Sequence, residues 1–177
     1  MNCFKGRIGT YINCLVFCLL LAHTTIAQSL LPYKQNTIFL EVSSKGPVYS
    51  LNYDRIFKTS ENFTYSYRTG FTIEQDGIGA SFGLTMFTGQ NRHHAELSLV
   101  VMPYIDHYKS FLSGNNLSDK YLYITPSIGY RYQQRKGGLY FRAGAAPLIF
   151  LDPPSDHFWH MDPKVYATIQ TALGFSF

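Results

Sequence analysis

The densest group of ligating and acid–base side chains in this 177-residue chain lies between Asp152 and Asp162. His157 and His160 stand three apart, with Asp156 close by and Phe158 and Trp159 between them. Two histidines beside carboxylates form a donor set that zinc accepts. The spacing follows no strong zinc signature, so the plainer reading is a polar, exposed loop. On that reading His157, Phe158, Trp159 and His160 are contact residues for a surface partner of unknown identity. Nucleophilic chemistry would need a Ser, a His and an acid in mutual reach. His93 and His94 are adjacent at a short turn, and no His-x-Ser arrangement falls on a predicted strand. The expectation is therefore no catalytic residue, no cofactor and no metal.

A second set of chemically capable residues is spread along the chain. Glu41, Asp54, Arg68, Glu74, Glu96, Arg131 and Arg142 each sit inside a stretch of alternating polar and apolar residues. Whether they meet depends on the elements that carry them. The clearest such element runs from Lys164 to Phe177, where Val165, Ala167, Ile169, Leu173, Phe175 and Phe177 recur every second position. Small or polar residues fill most of the gaps, which is the period of a strand with two unlike faces.

The same period appears in seven further stretches: Asn36 to Ser44, Val48 to Phe57, Phe63 to Glu74, Ile78 to Met86, His94 to Tyr104, Lys120 to Tyr132 and Leu139 to Phe150. The second, fourth and sixth are followed by short turns, Lys58 to Asn62, Gly89 to His93 and Gln133 to Gly138. Both long connections, Asp106 to Asp119 and Leu151 to Asp162, fall at the opposite end. All seven charges named above share the polar parity; Arg55 sits on an apolar face, close to a strand end. Pro126 lacks a ladder donor and implies a bulge or a local distortion.

The N-terminus reads differently. Lys5 and Arg7 precede the apolar run Leu15 to Ala22, and Thr25-Ile26-Ala27 supplies the small residues of a cleavage site. This predicts a cleaved signal peptide over residues 1–27 and a single domain over 28–177. Cys3, Cys14 and Cys18 all lie in that leader, so the mature domain has no thiol or disulfide chemistry. The chain has 15 Lys and Arg, two of them (Lys5 and Arg7) in the leader, against 11 Asp and Glu. So even a balance argues against nucleic acid as a partner. Beyond the leader there is no apolar run of the ~18 residues a transmembrane helix needs. A membrane location then requires closed β-structure, the remaining way to satisfy every backbone group in lipid.

Eight alternating stretches, short turns at one end and an aromatic terminus resemble the small eight-stranded outer-membrane β-barrel proteins of Gram-negative bacteria, the OmpX type and the transmembrane domain of the OmpA type. The resemblance covers Thr37 to Phe177 as a pattern. It implies an all-β, antiparallel, up-and-down transmembrane barrel in the outer membrane, a monomer in contact with outer-membrane lipid. It also implies an assembly signal in Leu173, Phe175 and Phe177 for the barrel assembly machinery to read. In so narrow a barrel side chains fill the lumen. Glu96, Arg131 and Arg142, on three consecutive strands at similar height, are expected to pair as a plug rather than line a pore, with Asp54 and Arg68 as a second pair. The role implied is non-catalytic and exercised through the external loops. Two alternatives stand beside it: a soluble lipocalin-like carrier whose apolar face points inward, and a barrel enzyme that modifies lipid A.

Overall fold

In a computed structural model, residues 33–75, 77–89, 91–106, 119–152 and 162–177 are described, and they belong to one compact unit, Tyr33–Phe177. The proposed leader and the His157–His160 segment lie outside the described residues. Eight strands follow one another: β1 (Asn36–Ser43), β2 (Tyr49–Thr59), β3 (Phe63–Glu74), β4 (Gly77–Thr88), β5 (His93–Asp106), β6 (Asp119–Gln133), β7 (Gly138–Asp152) and β8 (Asp162–Ser176). Each pairs antiparallel with its neighbour in sequence, and β8 closes on β1. The result is the all-β, up-and-down eight-stranded barrel that the alternation predicted. All eight strands begin and end within two residues of the predicted stretches.

Closure inverts the usual distribution of polarity. Thr37, Asn52, Asp54, Ser66, Arg68, Ser81, Glu96, Arg131 and Arg142 are buried in the lumen. The outer wall carries Leu40, Leu84, Leu97, Leu99, Ile128, Ile169 and Leu173 in the open, with Ile128 65% exposed and Arg131 not exposed at all. Aromatic residues stand on the same outer face nearer the strand ends, among them Phe57, Tyr67, Tyr130, Phe175 and Phe177 at the short-turn end and Tyr49 and Phe71 at the other. An inward-pointing apolar face, as the carrier alternative requires, is the reverse of this arrangement. Leu173, Phe175 and Phe177 all lie on the outer face.

Two details differ from the pattern read in the sequence. Pro126 brings no register shift: it pairs with Leu99 of β5, and the β6–β7 ladder holds one register from Ile124↔Ile149 to Ile128↔Ala145. The distortion there is a loss of ladder pairs, because Pro126 stands opposite Pro147 and neither has an N–H to give. A register shift falls instead in β2, between Ile56 and Lys58. Ile56 keeps the inward parity of Asp54 and is 1% exposed, while Phe57, the extra residue, lies outside and the parity reverses after it, at Lys58 and Thr59.

Close approach explains one glycine. Gly174 of β8 lies between Tyr140 of β7 and Phe39 of β1 along a single hydrogen-bonding row. A Cβ there would come within 2.1 Å of the Ile38 carbonyl oxygen and 2.4 Å of the Phe39 Cβ. Its absence lets the Phe39 and Tyr140 rings meet inside the barrel, 5.0 Å apart. Replacing Gly174 with Val is expected to force this seam open and destabilise the folded barrel by about 1–3 kcal/mol, the usual range for overpacking. The measurement is the temperature at which the compact, SDS-resistant form is lost.

Candidate functional site

Strand parity aims six charged side chains into the lumen, and the stagger of the strands brings them to one level. Glu41 of β1 and Arg142 of β7 both stand opposite Ala172 of β8. That small residue leaves the space across which Arg142 Nη1 donates to Glu41 Oε2. Arg142 Nε donates to Glu96 Oε1. Its Nη2 reaches the hydroxyls of Ser98 (3.1 Å) and Ser127 (2.7 Å). Arg131 spans the lumen in the other direction, to Asp54 Oδ1 at 3.1 Å and Glu96 Oε2 at 3.3 Å. Its Nε donates to Gln133 Oε1 at 2.8 Å. Arg68 donates to Glu41 Oε2 at 3.2 Å and lies 3.9 Å from Glu96 Oε1.

Three guanidiniums thus meet three carboxylates, Glu41, Asp54 and Glu96, so the formal charge balances. The side chains are at most 1% exposed except that of Glu41, at 10%. Aromatic faces complete the packing. The Arg131 guanidinium lies 4.2 Å from the Phe87 ring centre and 4.9 Å from that of Tyr140, and Arg68 lies 4.9 Å from that of Phe39. With Tyr140, Phe39, Phe87, Arg131 and Arg142 all buried at 1% or less, this level of the lumen is filled by side chains.

Beneath the network the chain folds back under its own barrel. Tyr33, just before β1, is 4% exposed and packs edge-on against Phe87 and His94. Its hydroxyl donates to the carbonyls of Gly89 and Asn91, both at 3.3 Å. The Lys34 amide donates to the Arg135 carbonyl at 2.9 Å. At this end β1 and β8 are also clasped by reciprocal backbone bonds between Asn36 and Phe177.

The structure joins Glu96, Arg131 and Arg142 as one unit, and it adds Glu41 to them. It does not pair Asp54 with Arg68, although these two are direct neighbours in register. Asp54 is taken instead by Arg131 and by the Ser66 hydroxyl at 2.9 Å. Glu74 stands apart, at the long-connection end of β3. Its carboxylate accepts the Val48 amide at 2.6 Å and the Tyr104 hydroxyl at 3.1 Å, in a cleft of about 770 Å³ that Tyr49 and Tyr123 also line. Sequence reasoning passed over Phe39, Phe87, Tyr140 and Tyr33 as lumenal packing. For the first three the signal was there, an aromatic on the polar parity. His93 and His94 lie on opposite faces. His93 Nδ1 meets the Tyr130 hydroxyl outside at 2.5 Å, and His94 Nδ1 meets the Thr88 carbonyl inside at 2.5 Å. Among the described residues no group of three His, Cys, Asp or Glu side chains is placed to hold a metal ion.

A closed eight-stranded barrel with a polar, packed lumen and an apolar outer wall is the class this geometry defines. The N-terminal β-barrel domain of Pseudomonas aeruginosa OprF, a solved crystal structure, is similar to it, with a TM-score of 0.52 at 9% sequence identity. The alignment covers 82% of this chain and 98% of that one. At that identity the likeness is one of fold. No family model and no characterised protein matches the sequence.

Glu96 is the carboxylate shared most widely, touching Arg68, Arg131 and Arg142. Removing one partner of a buried ion pair leaves uncompensated charge, at a cost of about 3–5 kcal/mol. Glu96→Ala should therefore lower the stability of the folded barrel by that order. Combining it with Arg142→Met should recover part of the loss, as a double-mutant cycle in urea would show.

Proposed function

We propose that this protein is a non-catalytic integral outer-membrane barrel that acts at its surface and not through its lumen. The observation that carries this reading is the inside-out polarity: wide apolar surface outside, charge and hydroxyls inside. Monomeric soluble proteins rarely expose contiguous apolar surface beyond a few hundred Å². Here Leu40, Leu84, Leu97, Ile128, Ile169 and Leu173 belong to a wall that runs round the whole barrel. Lipid covers such a wall without a partner protein, and aromatic residues toward the strand ends suit the two interfaces.

In this reading the short turns after β2, β4 and β6 face the periplasm. The longer connections, numbers 107–118 and 153–161, face outward, and the second of them supplies His157, Phe158, Trp159 and His160 as contact residues for a surface partner. Leu173, Phe175 and Phe177 form the strand that the barrel assembly machinery takes up. A filled lumen supports a structural or surface-contact role over transport of solutes. Closure leaves no strand edge free for pairing with a second copy, which supports a monomer.

Two measurements test this. Placing Arg at Leu97, in the middle of the outer wall, is expected to cost roughly 2–4 kcal/mol when the barrel folds into lipid vesicles, against about 0–1 kcal/mol for the same change near a strand end. An equal, small cost at both depths would refute membrane insertion. Removing Phe177 is expected to slow insertion by the assembly machinery while leaving the melting temperature of the finished barrel almost unchanged. Normal insertion rates without Phe177 would refute its role as a signal.

A further inference from the structure

At the short-turn end a cleft of about 790 Å³ opens between the β4–β5 and β6–β7 turns. It is lined by Asn91, Arg92, His93, Gln134, Arg135 and Lys136. Three of these side chains carry permanent positive charge, two are amides able to donate hydrogen bonds, and none is a carboxylate. The cleft is held in shape: the Gln133 amide donates to the Arg92 carbonyl at 3.0 Å, and the Arg135 guanidinium rests 5.3 Å from the centre of the Tyr33 ring. Arg92 and Lys136 are exposed. Neither belongs to the lumenal network.

A second depression lies farther up the same strands, on the outer wall. This apolar groove of about 520 Å³ is lined by residues that include Met86, Leu97, Leu99, Pro126, Ile128 and Ala145. Short side chains line it at Ala145 and at the facing prolines Pro126 and Pro147. Cleft and groove lie one above the other along one pair of strands. Outward residues of β5 and β6 stand opposite each other in the order His93↔Tyr132, Ala95↔Tyr130, Leu97↔Ile128 and Leu99↔Pro126. The rings of Tyr130 and Tyr132 pack on His93, 5.9 and 5.5 Å away, and form the step between the two.

The distances match one molecule. From His93 to Leu97 is four residues, about 13 Å of strand, and to Leu99 about 20 Å at ~3.3 Å per residue. With strands tilted ~40° these shorten to about 10–15 Å of depth, the reach of one leaflet in a hydrocarbon core ~30 Å thick. A free anion would leave the groove unused. An acidic protein would have no reason to sit beside it.

We propose that this face binds one anionic phospholipid of the periplasmic leaflet, its phosphate headgroup in the cleft of Arg92, Arg135 and Lys136 and one acyl chain in the groove between Leu97 and Ala145. The proposal rests on the outer-membrane reading above, and the test separates the two. The mature chain is folded into nanodiscs of phosphatidylcholine containing a minor share of phosphatidylglycerol, and the lipids kept by the released barrel are counted by native mass spectrometry. The expected result is phosphatidylglycerol retained over phosphatidylcholine. The double variant Arg92→Gln/Lys136→Gln should lower that retention about 30-fold, since each of the two basic residues near an anionic surface contributes roughly 1 kcal/mol. Ala145→Leu, which fills the groove from outside without touching the lumen, should lower it independently. No preference for phosphatidylglycerol in the unaltered barrel, or retention unchanged by the double variant, would overturn the proposal. Retention that responds to the double variant but not to Ala145→Leu would overturn it as well, as would inorganic phosphate binding equally well to both proteins; either outcome marks a bare anion site. A barrel that inserts normally yet fails these arms leaves the membrane reading standing. A chain that does not insert at all sinks both.

Discussion

Three guanidiniums held among three carboxylates inside a closed sheet are the constraint on which the rest of the molecule depends. Taking six charges out of water is costly, and the cost is recovered only when every ion has partners at short range. Here most contacts cross the lumen. Asp54 on β2 meets Arg131 on β6, Glu41 on β1 meets Arg142 on β7, and Arg68 on β3 approaches Glu96 on β5. Those pairs exist only in one register of all eight strands. A slip of one residue would turn a strand's whole inner set toward the outside, so the network and the backbone ladder specify each other.

The same closure dictates what lies outside. Once hydroxyls, amides and charges take the inner parity, every intervening residue must face away from the axis, and most of these are Leu, Ile, Val, Phe and Tyr. In water this wall would demand a covering protein; in a bilayer it needs none. The wall is also uneven. Facing prolines and a run of alanines on β7 thin it on one side, above the turns that carry Arg92, Arg135 and Lys136. Polar and apolar features of the outer surface are therefore aligned on β5 and β6.

Much of this architecture was legible in the sequence because a barrel is written in the simplest code a strand has. Period two alone assigned eight strands and told which charges face inward. Partners were another matter, since they depend on height along tilted strands, and stagger is not visible in alternation. Glu74 shares the inner parity with Arg68 yet sits six residues farther along β3, beyond the network's reach. Asp54 and Arg68 are register neighbours, but a flexible Arg68 leans away and a better-aimed Arg131 takes its place. The bulge at Phe57 reverses the parity of Lys58 and Thr59 at the end of β2, a change that alternation alone does not announce. The basic cleft was not legible at all, because its two turns are more than 40 positions apart and meet only through the pairing of β5 with β6.

The network also bears on where activity can reside. For solute to pass, Arg142 would have to release Glu41, Glu96, Ser98 and Ser127 together. Arg131 would have to leave Asp54, Glu96 and Gln133 while still packed on Phe87 and Tyr140. No single rotamer change does this, because each carboxylate oxygen of Glu96 faces a different arginine and moving one strands another. Tyr33 and His94 close the space below, so relieving the network alone would still leave packed rings in the way. A lumen tied in this manner serves best as a rigid stave assembly, a fixed base for whatever the two rims carry.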